Sequence, residues 1–178
     1  VVERRDLFST VIAQGIAASP DGRFVATALE LPKNLIPETQ VYQGWMVTYG
    51  FALSETRKGG RTAYVLIDEP NLYFADPYGI DFSPDGSRLY ISSSGVNAVT
   101  VVDVARVHRL LQVRNGVLGI TDDDIRRYAR HLGVSSTYTV ARIPTGSNPK
   151  DLVVSPDGSR AYVADRLSDR ITVVDTRS

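Results

Sequence analysis

A four-residue turn, Ser-Pro-Asp-Gly, occurs three times and constrains the fold more than any other feature of the chain. The copies begin at Ser19, Ser83 and Ser155, so they are 64 and 72 residues apart. Proline suits the second position of a type I turn because its φ is fixed, and glycine accepts the left-handed conformation that follows. Short runs of β-branched and aromatic residues flank each copy, which is typical of strands. The pattern predicts an all-β chain built from repeats.

The spacing of the turns favours a β-propeller. A four-stranded blade takes about 40–45 residues, so each interval holds one blade and an insertion. We predict blade one at about 11–68, blade two at about 77–143, and an incomplete blade three at about 148–176. Propellers close with about four to eight blades. We therefore expect about three blades of an incomplete, seven-bladed propeller, with the remaining blades elsewhere in the parent chain.

Strand limits follow from the apolar runs of blade one. We expect an incoming strand at Leu7–Thr10, and then the four strands Gly15–Ala18, Phe24–Leu29, Trp45–Leu53 and Thr62–Asp68. The excursion over residues 31–43 contains Pro32 and Pro37, and these prolines argue against a regular strand there.

Residues 104–136 change to a helical period and predict a two-helix insertion in blade two. Val104, Val107, Leu110 and Leu111 share one helical face. Thr121 precedes three aspartates, which is typical of a capped helix start. Gly133 is the expected end of this second helix.

Composition excludes several function classes. The formal net charge is zero, which argues against a nucleic-acid partner. The chain has no cysteine, so disulfides, thiolate metal sites and covalent c-type haem attachment are excluded. No apolar run approaches the roughly 18 residues that span a membrane. No phosphate loop, nucleophile elbow or zinc-protease motif is present.

The third repeat resembles the YVTN-type β-propeller repeat. The resemblance rests on residues 149–165, Pro-Lys-Asp-Leu-Val-Val-Ser-Pro-Asp-Gly-Ser-Arg-Ala-Tyr-Val-Ala-Asp, which are followed by Ile-Thr-Val-Val-Asp at 171–175. It is specific over residues 79–103 and 148–176. That family includes surface-layer, periplasmic and lactonase-like propellers and the haem-carrying propeller of nitrite reductase.

The inserted segments are similar to bacterial propellers found beside, or fused to, di-haem peroxidase (MauG-like) domains. The similar residues are Asn34–Pro37, Gln43–Trp45 and Asp68–Pro77. The resemblance implies a bacterial protein exported to the periplasm or outside the cell, next to a redox partner. The haem module is not in this chain, so no cofactor is expected here.

Candidate ligand-binding residues lie where the inner strand of each blade begins, at the mouth of the propeller channel. Asp76, Tyr78, Asn148 and Lys150 suit a small polar ligand or a docking protein. The alternative is that Asp76 and Asn148, each followed by proline, only form lead-in turns. Asp81 is the odd polar residue of an inner strand, and it is either a binding residue or the partner of a neighbouring arginine.

Partner docking is predicted for two regions that are inserted between strands of the blades. Trp45 either packs between blades or anchors an interface. His108 and Arg109 lie on the helical insertion, where both His108 and His131 fit surface positions better than metal ligands. The aspartates at 122–124 lack the spacing of a calcium loop.

Three hypotheses follow. The first is a non-catalytic propeller scaffold beside a di-haem redox enzyme. The second is a lactonase-like or lyase-like enzyme whose site is shared among blades at the channel mouth. The third, less favoured, is a propeller that carries haem without covalent attachment.

Overall fold

The computed structural model describes residues 3–7, 10–32 and 46–177, and these form eleven strands in three antiparallel sheets. Each sheet is one blade. Blade one contains β1 (Ile12–Ala18), β2 (Phe24–Pro32), β3 (Val47–Glu55) and β4 (Thr62–Leu66). Blade two contains β5 (Pro77–Phe82), β6 (Arg88–Ser93), β7 (Ala98–Asp103) and β8 (Thr139–Pro144). Blade three contains β9 (Pro149–Val154), β10 (Arg160–Asp165) and β11 (Arg170–Asp175), and the predicted all-β architecture is confirmed.

The Ser-Pro-Asp-Gly turns have the predicted geometry. In each copy the glycine has a φ near +70° and its N–H donates to the serine carbonyl at 2.8 Å. The serine hydroxyl donates to the aspartate, which also accepts the backbone N–H two residues further on at 3.0 Å. The serine hydroxyl is the largest cause that lowers the pKa of all three aspartates, Asp21, Asp85 and Asp157. These carboxylates are turn residues, as predicted.

Several strand limits in blade one differ from the prediction. β2 continues through Pro32, which pairs with Val47 at the end of the strand, where a missing N–H costs least. β1 begins at Ile12, three residues before the expected start. Leu7 and Thr10 lie in no strand, while the residues between them, and Trp45, lie outside the described residues.

The predicted insertion contains two helices and a 3₁₀ turn. Helix α1 covers Val104–Leu110, helix α2 covers Asp122–Tyr128, and the 3₁₀ segment is Leu132–Thr137. Thr121 and Asp124 form a reciprocal capping box, so the predicted helix start is confirmed. The predicted end is wrong. Helix α2 ends at Tyr128, and Gly133 lies within the 3₁₀ segment that follows.

Buried Glu55 attaches this insertion to blade one. Its carboxylate accepts the Leu118 N–H at 2.6 Å and the Arg61 N–H at 3.0 Å, and it pairs with Arg57 at 2.7 Å. Burial opposes ionisation of Glu55, but these hydrogen bonds and the Arg57 charge outweigh it and lower the pKa. A group with a lowered pKa contributes stability that is lost as the pH falls.

Glycines let the inner strands of successive blades approach each other. A Cβ on Gly15 would collide with the Tyr78 carbonyl oxygen, and one on Gly79 would lie 2.6 Å from the Lys150 carbonyl oxygen. The space between blades one and two is filled by buried side chains that include Phe24, Phe51, Ile80, Leu89 and Val102. A second apolar cluster joins blades two and three.

Blade three has one open side, which we call the outer face and define by Val153, Ile171 and Val173. These side chains are 55%, 68% and 53% exposed. Val99 and Val101 occupy the matching positions of β7 in blade two and are buried against blade three. The outer face therefore has the apolar character of a blade interface.

The glycine contact yields a stability prediction. Replacing Gly79 with alanine should lower the free energy of unfolding by about 1–3 kcal/mol, because a backbone carbonyl cannot move aside as a flexible side chain can. Urea unfolding followed by intrinsic fluorescence measures the change. The control is Gly133→Ala, whose nearest neighbour at 3.2 Å is the exposed His131 side chain, and it should cause no loss. A Gly79→Ala variant as stable as the wild type would contradict the packing argument.

Candidate functional site

The three sheets share an edge, here called the mouth edge, at which β1, β5 and β9 begin. Asp76 and Asn148 precede β5 and β9 with φ values of +53° and +57°. Aspartate and asparagine tolerate this left-handed backbone better than most residues. Their carbonyl oxygens accept the N–H groups of Ser94 and Arg166 at 2.9 and 3.1 Å. Both residues thus form the lead-in turns, whatever else their side chains do.

The structure brings two predicted binding residues together. The Lys150 ammonium lies 4.4 Å from the centre of the Tyr78 ring, a cation–π contact between half-buried side chains. Lys150 also donates to the Ser94 hydroxyl at 3.3 Å. Asn148 is adjacent, since its amide nitrogen contacts the Ser94 carbonyl at 3.5 Å. Ser94 was not predicted, because no sequence pattern marks it.

Asp81 lies away from the mouth edge and joins blades two and three. One carboxylate oxygen accepts the Phe82 N–H at 2.9 Å, and the other accepts the Val154 N–H of blade three at 2.8 Å. The suggested arginine partner is therefore wrong, since both oxygens bind backbone. An aspartate fits here because the neighbouring inner strand offers an otherwise unpaired donor.

Glu30 is a mouth-edge residue that the sequence prediction missed. It lies near the end of β2, is only 8% exposed, and its carboxyl group is within hydrogen-bonding reach of the Asp76 carboxyl group across the interface between blades one and two. Burial, followed by the Asp76 hydrogen bond and charge, raises the pKa of Glu30. Its Oε1 has no hydrogen-bond partner in the described structure. The one available signal was an acidic residue in an otherwise apolar strand.

Tyr49 on β3 lies in the same acidic surroundings. Burial raises the pKa of its phenol most, and the charges of Glu30, Asp76 and Asp68 raise it further. Asp68 is fully buried, and its two oxygens accept the Tyr49 and Phe74 N–H groups at 2.8 Å. The mouth edge between blades one and two is thus locally negative.

The insertion does not present His108 as a surface residue. His108 is half-buried, and its ring centre lies 5.2 Å from that of Phe24 in blade one. Burial lowers the pKa of His108, although the Asp21 carboxylate opposes this. The expectation of a solvated histidine is wrong because α1 packs over the first blade, whereas Arg109 and His131 are exposed.

His108 lines a cavity of about 350 Å³ between blades one and two, on the side of the Ser-Pro-Asp-Gly turns. Asp21 and Asp85 also line it, but both carboxylates are held by their own turns. Across residues 3–7, 10–32 and 46–177, no group of three or more His, Cys, Asp or Glu side chains could hold a metal ion. Within those residues, no helix is long and apolar enough to cross a membrane.

The comparisons with known proteins agree with this architecture. No family model matches the chain. It is 32% identical over 176 residues to hydrazine synthase subunit beta of Kuenenia stuttgartiensis, covering 99% of this chain and 44% of that protein. A solved structure of Kuenenia stuttgartiensis hydrazine synthase superposes with a TM-score of 0.89 at 32% identity, over 98% of this chain and 48% of that one.

A more distant structure, the periplasmic gluconolactonase of Pseudomonas aeruginosa, matches with a TM-score of 0.51 at 21% identity, over 93% of this chain and 39% of that one. This likeness is one of fold. The chain has a β-propeller fold. It spans less than half the length of the hydrazine synthase chains that it resembles.

The raised pKa of Glu30 predicts a pH dependence of stability. The ordinary pKa of a glutamate is about 4.5, and the pKa of Glu30 is higher in the folded state. The free energy of unfolding therefore falls as the pH rises from about 4.5 through the pKa of the folded state. Glu30→Gln keeps a donor to Asp76 and removes this titration. Its stability relative to the wild type should therefore increase from pH 5 to pH 8.

Urea unfolding in EDTA at several pH values measures this difference. The control is Asp123→Asn, which removes a largely exposed carboxylate and should keep the pH slope of the wild type. Parallel pH profiles for the wild type and Glu30→Gln would show that Glu30 does not carry the effect.

Proposed function

We propose that this chain is a non-catalytic propeller scaffold in a bacterial multi-subunit enzyme assembly related to hydrazine synthase, where it supports a haem-bearing redox partner. The observation that carries the proposal is the 32% identity over 99% of the chain, together with the TM-score of 0.89. Because the chain covers less than half of these relatives, the activity of the whole protein belongs to the proposal.

The mouth-edge side chains support binding over catalysis. Lys150 is engaged by the Tyr78 ring and by Ser94, and Asp76 and Asn148 shape the lead-in turns. Asp81 binds backbone through both oxygens. The lactonase-like alternative has only a likeness of fold in its favour. We therefore infer that these residues hold the blades together and present a polar docking surface.

Export and a di-haem partner complete the proposal. The segment Asp68–Pro77, similar to propellers beside di-haem peroxidase domains, forms the crossover between blades one and two. Asp68 and Phe74 of this segment are buried, and the Phe74 N–H donates to the Asp68 carboxylate. The residues that carry the resemblance therefore belong to the folded part of the chain. The chain contributes no haem ligand set in this proposal, and the partner supplies the redox group in the periplasm.

The helical insertion is the proposed docking element. Glu55 fixes its central loop to blade one, and the Tyr138 hydroxyl fixes its end by donating to the Leu66 carbonyl at 2.6 Å. A rigidly held insertion suits an interface, because little conformational entropy is lost on binding. Arg109 is exposed on α1 and is a suitable contact for an acidic patch of a partner.

Reversing the charge at Arg109 tests the docking proposal. Tagged chain captured from the periplasm of its source organism should retain a haem-bearing partner, quantified by Soret absorbance and mass spectrometry. Arg109→Glu should reduce the retained haem protein at least about tenfold. Arg166→Glu, which changes another exposed arginine in a turn of blade three, is the control. Eluates without haem would reject the haem-partner proposal, and equal retention of the haem protein by both variants would reject docking through Arg109.

A second proposal concerns what covers the outer face of blade three. We propose that another propeller blade covers it, since the matching residues of blade two, Val99 and Val101, are buried. The purified chain should self-associate through this face. The double substitution Ile171→Ser and Val173→Ser should shift it towards monomer in size-exclusion chromatography with light scattering. The control is Val117→Ser, an exposed valine in the insertion, and an unchanged mass for the double variant would contradict the proposal.

A further inference from the structure

Glu30 and Ser93 face the same layer between blades one and two. Side chains alternate between the faces of a strand. Glu30 lies on the same side of β2 as Ala28 and Phe24, and Ser93 lies on the same side of β6 as Ile91. Those three apolar residues belong to the cluster that joins blades one and two. The mouth-edge end of that cluster is therefore polar.

Ser93 provides an observation that is independent of the two acidic residues. Its hydroxyl is fully buried and has no hydrogen-bond partner in the described structure. The preceding residue, Ser92, faces the other way, since its hydroxyl contacts Gly79 and the Lys150 carbonyl of blade three. Ser93 pairs with Pro77, and the next residue, Ser94, donates its N–H to the Asp76 carbonyl at 2.9 Å, so the backbones of Ser93 and Asp76 are adjacent.

Nearby cations are already engaged. Arg142 pairs with Glu69 at 3.0 Å and stacks on the Phe74 ring, while Lys150 lies on Tyr78. No ion pair in the described structure includes Glu30 or Asp76. Two carboxylates in contact repel each other unless a proton or a cation lies between them. Asp68 and Tyr49 add no positive charge to this layer.

We propose that Glu30, Asp76 and Ser93 form a binding site for a hard divalent cation between blades one and two. Carboxylate and hydroxyl oxygens are the donors that such ions prefer, and two carboxylates with water are sufficient for a weak site. Buried Glu30 supplies one carboxylate oxygen from blade one, while exposed Asp76 supplies the other from blade two and opens the site to solvent. The ion links the two blades at the channel mouth, and this role does not depend on the proposed redox partner.

Calcium binding to the purified 178-residue chain tests the proposal. After EDTA treatment and dialysis, CaCl₂ is titrated at pH 7.5 in an isothermal titration calorimeter. We expect one ion per chain with a Kd on the order of 10⁻⁴–10⁻³ M. Asp76→Asn should weaken binding at least about tenfold, and it keeps the fold because asparagine tolerates the left-handed backbone at this position. Glu30→Gln should have the same effect.

The control is Asp123→Asn, which removes an exposed carboxylate from α2 and should bind calcium like the wild type. Absence of binding by the wild type up to 10 mM CaCl₂ would overturn the proposal, since the pair would then hold only a proton. Binding by Asp76→Asn and Glu30→Gln at wild-type strength would also overturn it, because the ion would then lie elsewhere.

Discussion

The close approach of successive inner strands is the constraint on which this architecture depends. The Tyr78 carbonyl reaches Gly15, and the Lys150 carbonyl reaches Gly79, at separations that no side chain would allow. Packing at this distance lets Asp81 of one blade accept the Val154 N–H of the next. Apolar clusters then fill the wider space towards the outer strands. The Ser-Pro-Asp-Gly turns define each sheet, but the glycines determine how the sheets stack.

The same packing produces the unusual polar layer at the mouth edge. Because the blades meet closely at the inner strands, acidic groups from two blades are brought together, one of them buried and the other open to solvent. Glu30 from β2 and Asp76 from the lead-in turn thereby come close enough to interact, and the two carboxylate oxygens of Asp68 accept backbone N–H groups. Buried charge is unfavourable without compensation. The acidic side chains of this region therefore meet between blades one and two, whereas the sequence pointed to residues where the inner strands of blades two and three begin.

Local features were predictable from the sequence and cross-blade contacts were not. The turns, the capping box at Thr121 and the change of period at Val104 are encoded by neighbouring residues, so pattern and structure agree. Tyr78 and Lys150 occupy equivalent positions of successive repeats, and the structure brings their side chains into contact. Glu30 and Asp76, or His108 and Phe24, meet only after the blades stack. No periodicity within either segment contains that information.

Blade three shows how one residue changes the next interface. Asp151 occupies the position of Gly15 and Gly79 in the earlier blades, and its carboxylate accepts the Leu152 N–H at 3.0 Å. A neighbour on the outer face cannot bring a carbonyl to this point, so its inner strand must lie further away or be shifted along the sheet. Exposed Ile171 and Val173 still favour an apolar cover. These two facts predict an interface that is wider at the inner strand and tight at the outer strand. Its geometry would differ from that of both blade interfaces within this chain.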